Sequence, residues 1–208
     1  IWDGYKQLLK TWNKFQHMEG IKVFLVGFFL LSTGVQTIIL LATPFGTKVL
    51  GMGTTQMITT ILIIQFLAIA GSQLFSRLSG KLGNIKSIII ALIVWAGISV
   101  IAWSLQGDDP LVEYKFYAMG GLVGLVMGGI QSLARSTYSK MLPSEGEHTT
   151  FFSFYDVTEK LAIVIGTFFF GFIEEISGDM HNSALFLAIF FIAAILVMSR
   201  VKYNFKEV

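Results

Sequence analysis

FFSFYDVTEKLAIVIGTFFFG, residues 151–171, is long and apolar enough to cross a bilayer, yet it carries Asp156, Glu159 and Lys160. Ionisable side chains at membrane depth are costly, and they almost always face a protein partner or a water-filled cavity. The stretch therefore points to a polytopic membrane protein with a polar pathway through it.

The rest of the chain agrees. Its 208 residues are 54% hydrophobic and 13% charged, with a mean hydropathy of +0.70; a soluble domain carries about 25% charge. Apolar runs predict six spanning helices at about 21–43, 54–75, 85–105, 114–135, 150–173 and 182–201. A span needs roughly 20 residues, so only short connections remain, and 21–208 reads as one all-α membrane domain. Residues 1–20, IWDGYKQLLKTWNKFQHMEG, alternate Trp2, Leu8, Leu9, Trp12 and Phe15 with Lys6, Lys10 and Lys14, which suits an amphipathic helix lying at the cytoplasmic interface. Ile1 stands where a complete chain has Met, so the expectation is a piece of a longer protein. There is no cysteine, hence no disulfide framework and no thiol chemistry.

An even number of spans puts both ends on one side. That side holds Lys6, Lys10, Lys14, Lys22, Arg77, Lys81, Lys86, Arg135, Lys140, Arg200, Lys202 and Lys206, against Lys48 and Lys115 on the other, with Lys160 left within a span. The opposite loops carry Asp108, Asp109, Glu113, Glu174, Glu175 and Asp179. By the positive-inside rule both termini are cytoplasmic.

Polar content separates the spans. The first has Ser32, Thr33, Gln36 and Thr37, the second Gln56, Thr59, Thr60 and Gln65, the fourth Gln131, and the fifth the charges. The third and sixth have only scattered serines, so they are expected to face lipid while the other four surround a polar interior. Gly34-Val35-Gln36-Thr37 in the first span is echoed by Gly129-Ile130-Gln131-Ser132 in the fourth. These are the leading members of two three-helix units of opposite orientation, an inverted-repeat arrangement known in transporters.

The stretch GGIQSLARSTYSKMLP at Gly128–Pro143, followed by FFSFYDVTEK at Phe151–Lys160, resembles the Atg22-like branch of the major facilitator superfamily, as does GVQTIILLAT at 34–43. The resemblance covers nearly the whole chain but only the second half of that family's twelve-helix protein. It implies the C-terminal half of a major facilitator fold, acting with a missing N-terminal six-helix half on a small polar solute, with amino acids suggested by vacuolar efflux. The expected setting is a bacterial inner membrane. The segment Ser76–Lys86, SRLSGKLGNIK, resembles the superfamily's basic gating loop, contributing Arg77, Lys81 and Lys86, although Gly80 replaces the usual aspartate. The family pattern leads one to expect an acid at Thr33 and Gly-Pro at Gly166-Thr167; both are absent.

Each candidate residue has two readings. Lys160, roughly 13 Å into its helix, is either an ion-pair partner of Asp156 one turn earlier or a contact for a substrate carboxylate. Glu159 points about 100° away from Lys160, as a proton-linked acid or toward the missing half. Gln36, Gln131 and the weaker candidate Gln65 either line the cavity or bond between helices, and Tyr155 either lines the pathway or anchors the membrane interface. Arg135 serves topology or gating. Gly120, Gly124 and Gly128 recur every four residues, for close packing or as a hinge.

His17, His148 and His181 are expected in loops, without a metal site. No span holds a histidine base, and no Gly-x-Ser-x-Gly elbow occurs, which argues against an intramembrane hydrolase. Nothing calls for a cofactor, and no compact basic module suggests nucleic acid. The remaining alternatives are a natural half-transporter acting as a homodimer and a membrane scaffold or receptor. An antibody to residues 1–20 should detect a polypeptide of about twice this chain's 23.1 kDa in native membranes. A band at the chain's own mass would favour the homodimer.

Overall fold

The computed structural model describes residues 19–143 and 148–201; the amphipathic segment expected at 1–20 lies almost wholly outside them, as does His17. Among the described residues there are helices and no strands. They are α1 (Glu19–Pro44), a π-turn (Phe45–Val49), α2 (Thr54–Leu82), α3 (Asn84–Ser104), α4 (Val112–Met141), α5 (His148–Ser177) and α6 (Met180–Met198). Five are long and apolar enough to cross a membrane. The sixth, α5, has 30 residues, and its added charge, from Asp156, Glu159, Lys160, Glu174 and Glu175, sets it apart.

Two boundaries differ from the sequence expectation. Helix α1 does not stop at Pro44, which keeps helical angles (φ −58°, ψ −37°). The chain widens into the π-turn, where Leu50 N–H donates to the Phe45 carbonyl and Met52 N–H to that of Gly46. A π-turn absorbs the missing proline donor without ending the helix. The second difference is the gating loop, most of which is helix. With 29 residues, α2 is about 44 Å long at 1.5 Å per residue, and its last two turns extend past a ~30 Å hydrocarbon core. Arg77 and Lys81 are exposed on that extension, at the helix end where cations suit the dipole. The break is Gly83 alone, at φ +84°, a left-handed value that favours glycine. Beyond it, the buried Asn84 Nδ2 donates to Thr137 Oγ1 at 3.0 Å and pins α3 to α4.

Packing follows a two-fold pattern. α1 packs on α5 and α6, while α4 packs on α2 and α3; α3 packs on α6. Exchanging α1, α2, α3 for α4, α5, α6 reproduces the set. α1 and α5 run parallel, with Phe28 against Tyr155 and Thr37 against Gly166. α2 and α4 also run parallel, with Thr60 against Gly120 and Phe75 against Gly129. Successive helices alternate in direction, so the two three-helix units are inverted repeats, as half a major facilitator fold requires. The core lies among α1, α3, α4 and α6, where Trp95 stacks on Phe191 (centroids 5.8 Å apart) and both are fully buried.

The glycine stripe is a packing device. A methyl group on Gly128 would lie 2.1 Å from the Ala68 carbonyl oxygen, and one on Gly124 2.5 Å from that of Ile64. Reciprocally, one on Gly71 of α2 would lie 2.0 Å from the Leu125 carbonyl oxygen. In lipid, helices associate through such close contacts rather than through exclusion from water. Gly128→Leu is therefore expected to destabilise the domain by at least about 1–3 kcal/mol. Gly80→Ala, on an open face with nothing within 4 Å, should be neutral or stabilising by up to ~1 kcal/mol. Equal melting temperatures for the two variants in detergent would contradict the backbone-contact account.

Candidate functional site

Three helices line an open polar cavity, and each supplies a pair of residues one turn apart on one face: Ser32 and Gln36 from α1, Gln131 and Arg135, both exposed, from α4, Tyr155 and Glu159 from α5. Its volume is about 200 Å3, well above the ~10–15 Å3 that one water needs. Glu159 lies 11 residues into α5, about 17 Å along the helix and so at membrane depth. Gln36 Nε2 donates to Glu159 Oε1 at 2.6 Å. The acid's neighbour is thus a residue of this same half. Arg135 makes no ion pair among the described residues; its guanidinium sits 5.6 Å from the Phe152 ring centroid, within cation–π range.

Aromatic side chains close the cavity toward the end where α1 begins. Tyr155 stacks on Phe28 at 3.9 Å and meets Tyr138 at 5.0 Å. Tyr138 in turn packs on Phe24 and donates its hydroxyl to the Phe151 carbonyl at 2.8 Å. Phe28, Tyr138 and Tyr155 are all buried. This cluster holds α1, α4 and α5 together and fixes the directions in which Gln36, Arg135 and Glu159 point. A separate cavity of about 60 Å3, between Ile38, Phe45, Ile98, Phe116 and Phe170, exposes no polar surface.

The structure brings together Gln36, Gln131, Arg135, Tyr155 and Glu159, and leaves the other candidates elsewhere. Asp156 and Lys160 are exposed on the outer face of α5. No ion pair joins them, which goes against the ion-pair reading, one of the two offered for Lys160. Gln65 is exposed on α2 beside Leu62, Phe66 and Ile69, so α2 does not wall the cavity as expected. Arg77, Lys81 and Lys86 are exposed near the α2–α3 junction and do not line the cavity. Ser32 was missed as a site residue, although its spacing from Gln36 is the same one-turn repeat that marks the other two pairs.

At the opposite end of the bundle the acidic residues gather. Asp109 pairs with Lys115; that bond, then the Leu111 N–H, holds the carboxyl below its usual range. Asp179 caps α6 by accepting from the His181 N–H at 2.8 Å. This backbone bond, followed by the contact with the His181 ring, likewise lowers its pKa.

A family model described as "Vacuole effluxer Atg22 like" matches residues 1–206. The chain belongs to the Atg22-like family. Relatives include Autophagy-related protein 22 of Pichia angusta, 29% identical over 202 residues, covering 94% of this chain and 36% of the relative. Autophagy-related protein 22-1 of Emericella nidulans is 29% identical over 203 residues, with 90% and 34% covered. An uncharacterized MFS-type transporter, YxiO of Bacillus subtilis, is 24% identical over 197 residues, with 95% and 44% covered. The Atg22-like chain thus spans less than half the length of these relatives. With its membrane-spanning helices, it is an integral membrane protein.

A double-mutant cycle of Gln36→Ala and Glu159→Ala on unfolding in detergent should return a coupling of about 0.5–1.5 kcal/mol. Additive effects would mean that the 2.6 Å contact contributes nothing.

Proposed function

We propose that the chain is the C-terminal six-helix half of a secondary active transporter. It works by alternating access on a small polar solute, with amino acids the favoured class, and has no catalytic role. The observation that carries this reading is the Gln36–Glu159 bond on the wall of a polar cavity that also holds Arg135 and Gln131. A carboxylate and a guanidinium on one wall suit a solute with both an ammonium and a carboxylate group. The glutamine amides can donate to or accept from its polar atoms. The family description, vacuole effluxer, and the MFS-type relative favour transport.

In this reading a second six-helix bundle completes the cavity, and the two rock about the midplane site. The surface that meets it is the exposed face of α2 and α5. There Gln65, Asp156 and Lys160 stand among Phe66, Leu161 and Val164; a carboxylate and an ammonium are too costly to leave against lipid. The relatives are more than twice as long as the matched chain, which leaves room for such a bundle. The end bearing Arg77, Lys81, Lys86, Lys140 and Arg200 is the cytoplasmic one, in a bacterial inner membrane.

The test is uptake of labelled amino acids into proteoliposomes carrying the full-length protein. Glu159→Gln and Arg135→Ala should each lower the rate roughly tenfold or more, as loss of about one charge-assisted contact would, with melting temperatures held. Lys160→Ala should lower it less, without reducing expression. Wild-type rates in both cavity variants would sink the assignment.

A further inference from the structure

His181 occupies the first turn of α6, a helical position and not the expected loop. Its side chain is 19% exposed. Nδ1 lies 2.7 Å from Asp179 Oδ1, and Nε2 lies 2.6 Å from the carbonyl oxygen of Leu105, the residue that ends α3. The Phe45 ring, in the π-turn that follows α1, stands 5.4 Å from the imidazole at 80°. One side chain thus ties together the ends of α1, α3 and α6, far along the chain from one another.

Both partners of the ring are acceptors. A peptide carbonyl has no proton to give, and Asp179 is held as a carboxylate by the His181 N–H and ring. A neutral imidazole has one N–H and can serve only one of them, leaving a lone pair against the other oxygen; the imidazolium has two and serves both.

Charged groups on the adjoining elements are Lys48 on the π-turn, Asp108 and Asp109 after α3, Lys115 at the start of α4, and Glu174 and Glu175 near the end of α5. Among the described residues Asp109 is paired with Lys115, and only Asp179 is in ion-pair range of the ring.

We propose that His181 is a proton-operated latch: its imidazolium bridges Asp179 and Leu105 and fastens α6 to α3 beside the end of α1, and loss of the ring proton releases one of the two bonds. The latch is fastened while both ring nitrogens carry protons, so acid fastens it and base loosens it. In the transport reading above, on which this consequence rests, the latch lets the pH of the non-cytoplasmic compartment set how readily the three helix ends separate.

The test is the melting temperature of the purified full-length protein in detergent at pH 5.5 and pH 8. Wild type should lose about 2–4 °C more than His181→Gln between the two, from the loss of about one hydrogen bond. Asp179→Asn, which keeps a good helix cap, should shrink the difference. A His17→Gln, His148→Gln double variant should retain it. Equal pH differences in wild type and His181→Gln would overturn the latch. Should His181→Gln fail to fold, nitrogen-15 histidine spectra of the wild type at pH 5.5 decide: two protonated ring nitrogens support the latch and a single neutral tautomer overturns it. None of these readouts involves a solute, so they can fail while the transport reading stands, and the reverse.

Discussion

Backbone-to-backbone contact between parallel helices is the constraint on which the rest of the fold depends. Gly71, Gly124 and Gly128 bring α2 and α4 so close that no side chain fits between them. Gly166 does the same for α5 on α1, where a methyl would lie 2.6 Å from the Thr33 carbonyl oxygen. These are equivalent pairs under the exchange of the two three-helix units. Lipid offers helices no general drive to associate, so small residues at contact points determine who packs with whom and in what register. Once α5 is held on α1 and α4 on α2, the polar faces of α1, α4 and α5 must meet.

The cavity follows from that register, and its chemistry is decided by about 100° of helix rotation, the step between neighbouring residues. Asp156–Lys160 and Tyr155–Glu159 are both one-turn pairs on α5. The close approach at Gly166 turns the second pair inward to Gln36 and the first outward. Glu159 thereby gains a donor at 2.6 Å. The outward pair makes no ion pair among the described residues.

The two ends of the bundle are built differently. At the basic end the connection from α2 to α3 is reduced to Gly83, and an aromatic cluster around Tyr138 and Tyr155 binds α1, α4 and α5. At the acidic end the helix termini are joined by polar contacts: Asp109 with Lys115, and Asp179 with His181 and Leu105. Apolar stacking is insensitive to pH, whereas carboxylate and imidazole contacts respond to it. Any response of the helix-end packing to acidity therefore concentrates at one end.

Much of this was legible in the residues alone. Six apolar runs, the one-sided distribution of lysine and arginine, and the resemblance around Gly128–Pro143 and Phe151–Lys160 were enough for the class, the number of helices and the family, because hydrophobic length and motif order are properties of the chain itself. The functional candidates were only half legible. Polar residue types within spans pointed to Gln36, Gln131, Tyr155 and Glu159, but they equally suggested Gln65, Asp156 and Lys160, and Arg135 was read as a topology or gating residue, since a sequence does not say which face of a helix a neighbour will cover. Pro44 and the Ser76–Lys86 segment differ from the sequence reading because the chain passes Pro44 through a π-turn and because the break between α2 and α3 is confined to one left-handed glycine, Gly83. His181 went unnoticed as a contact because its partners include the backbone carbonyl of Leu105, 76 residues away. Tertiary structure alone decided those matters, through the close glycine contacts that set each helix's rotation and the folding that brought distant helix ends together.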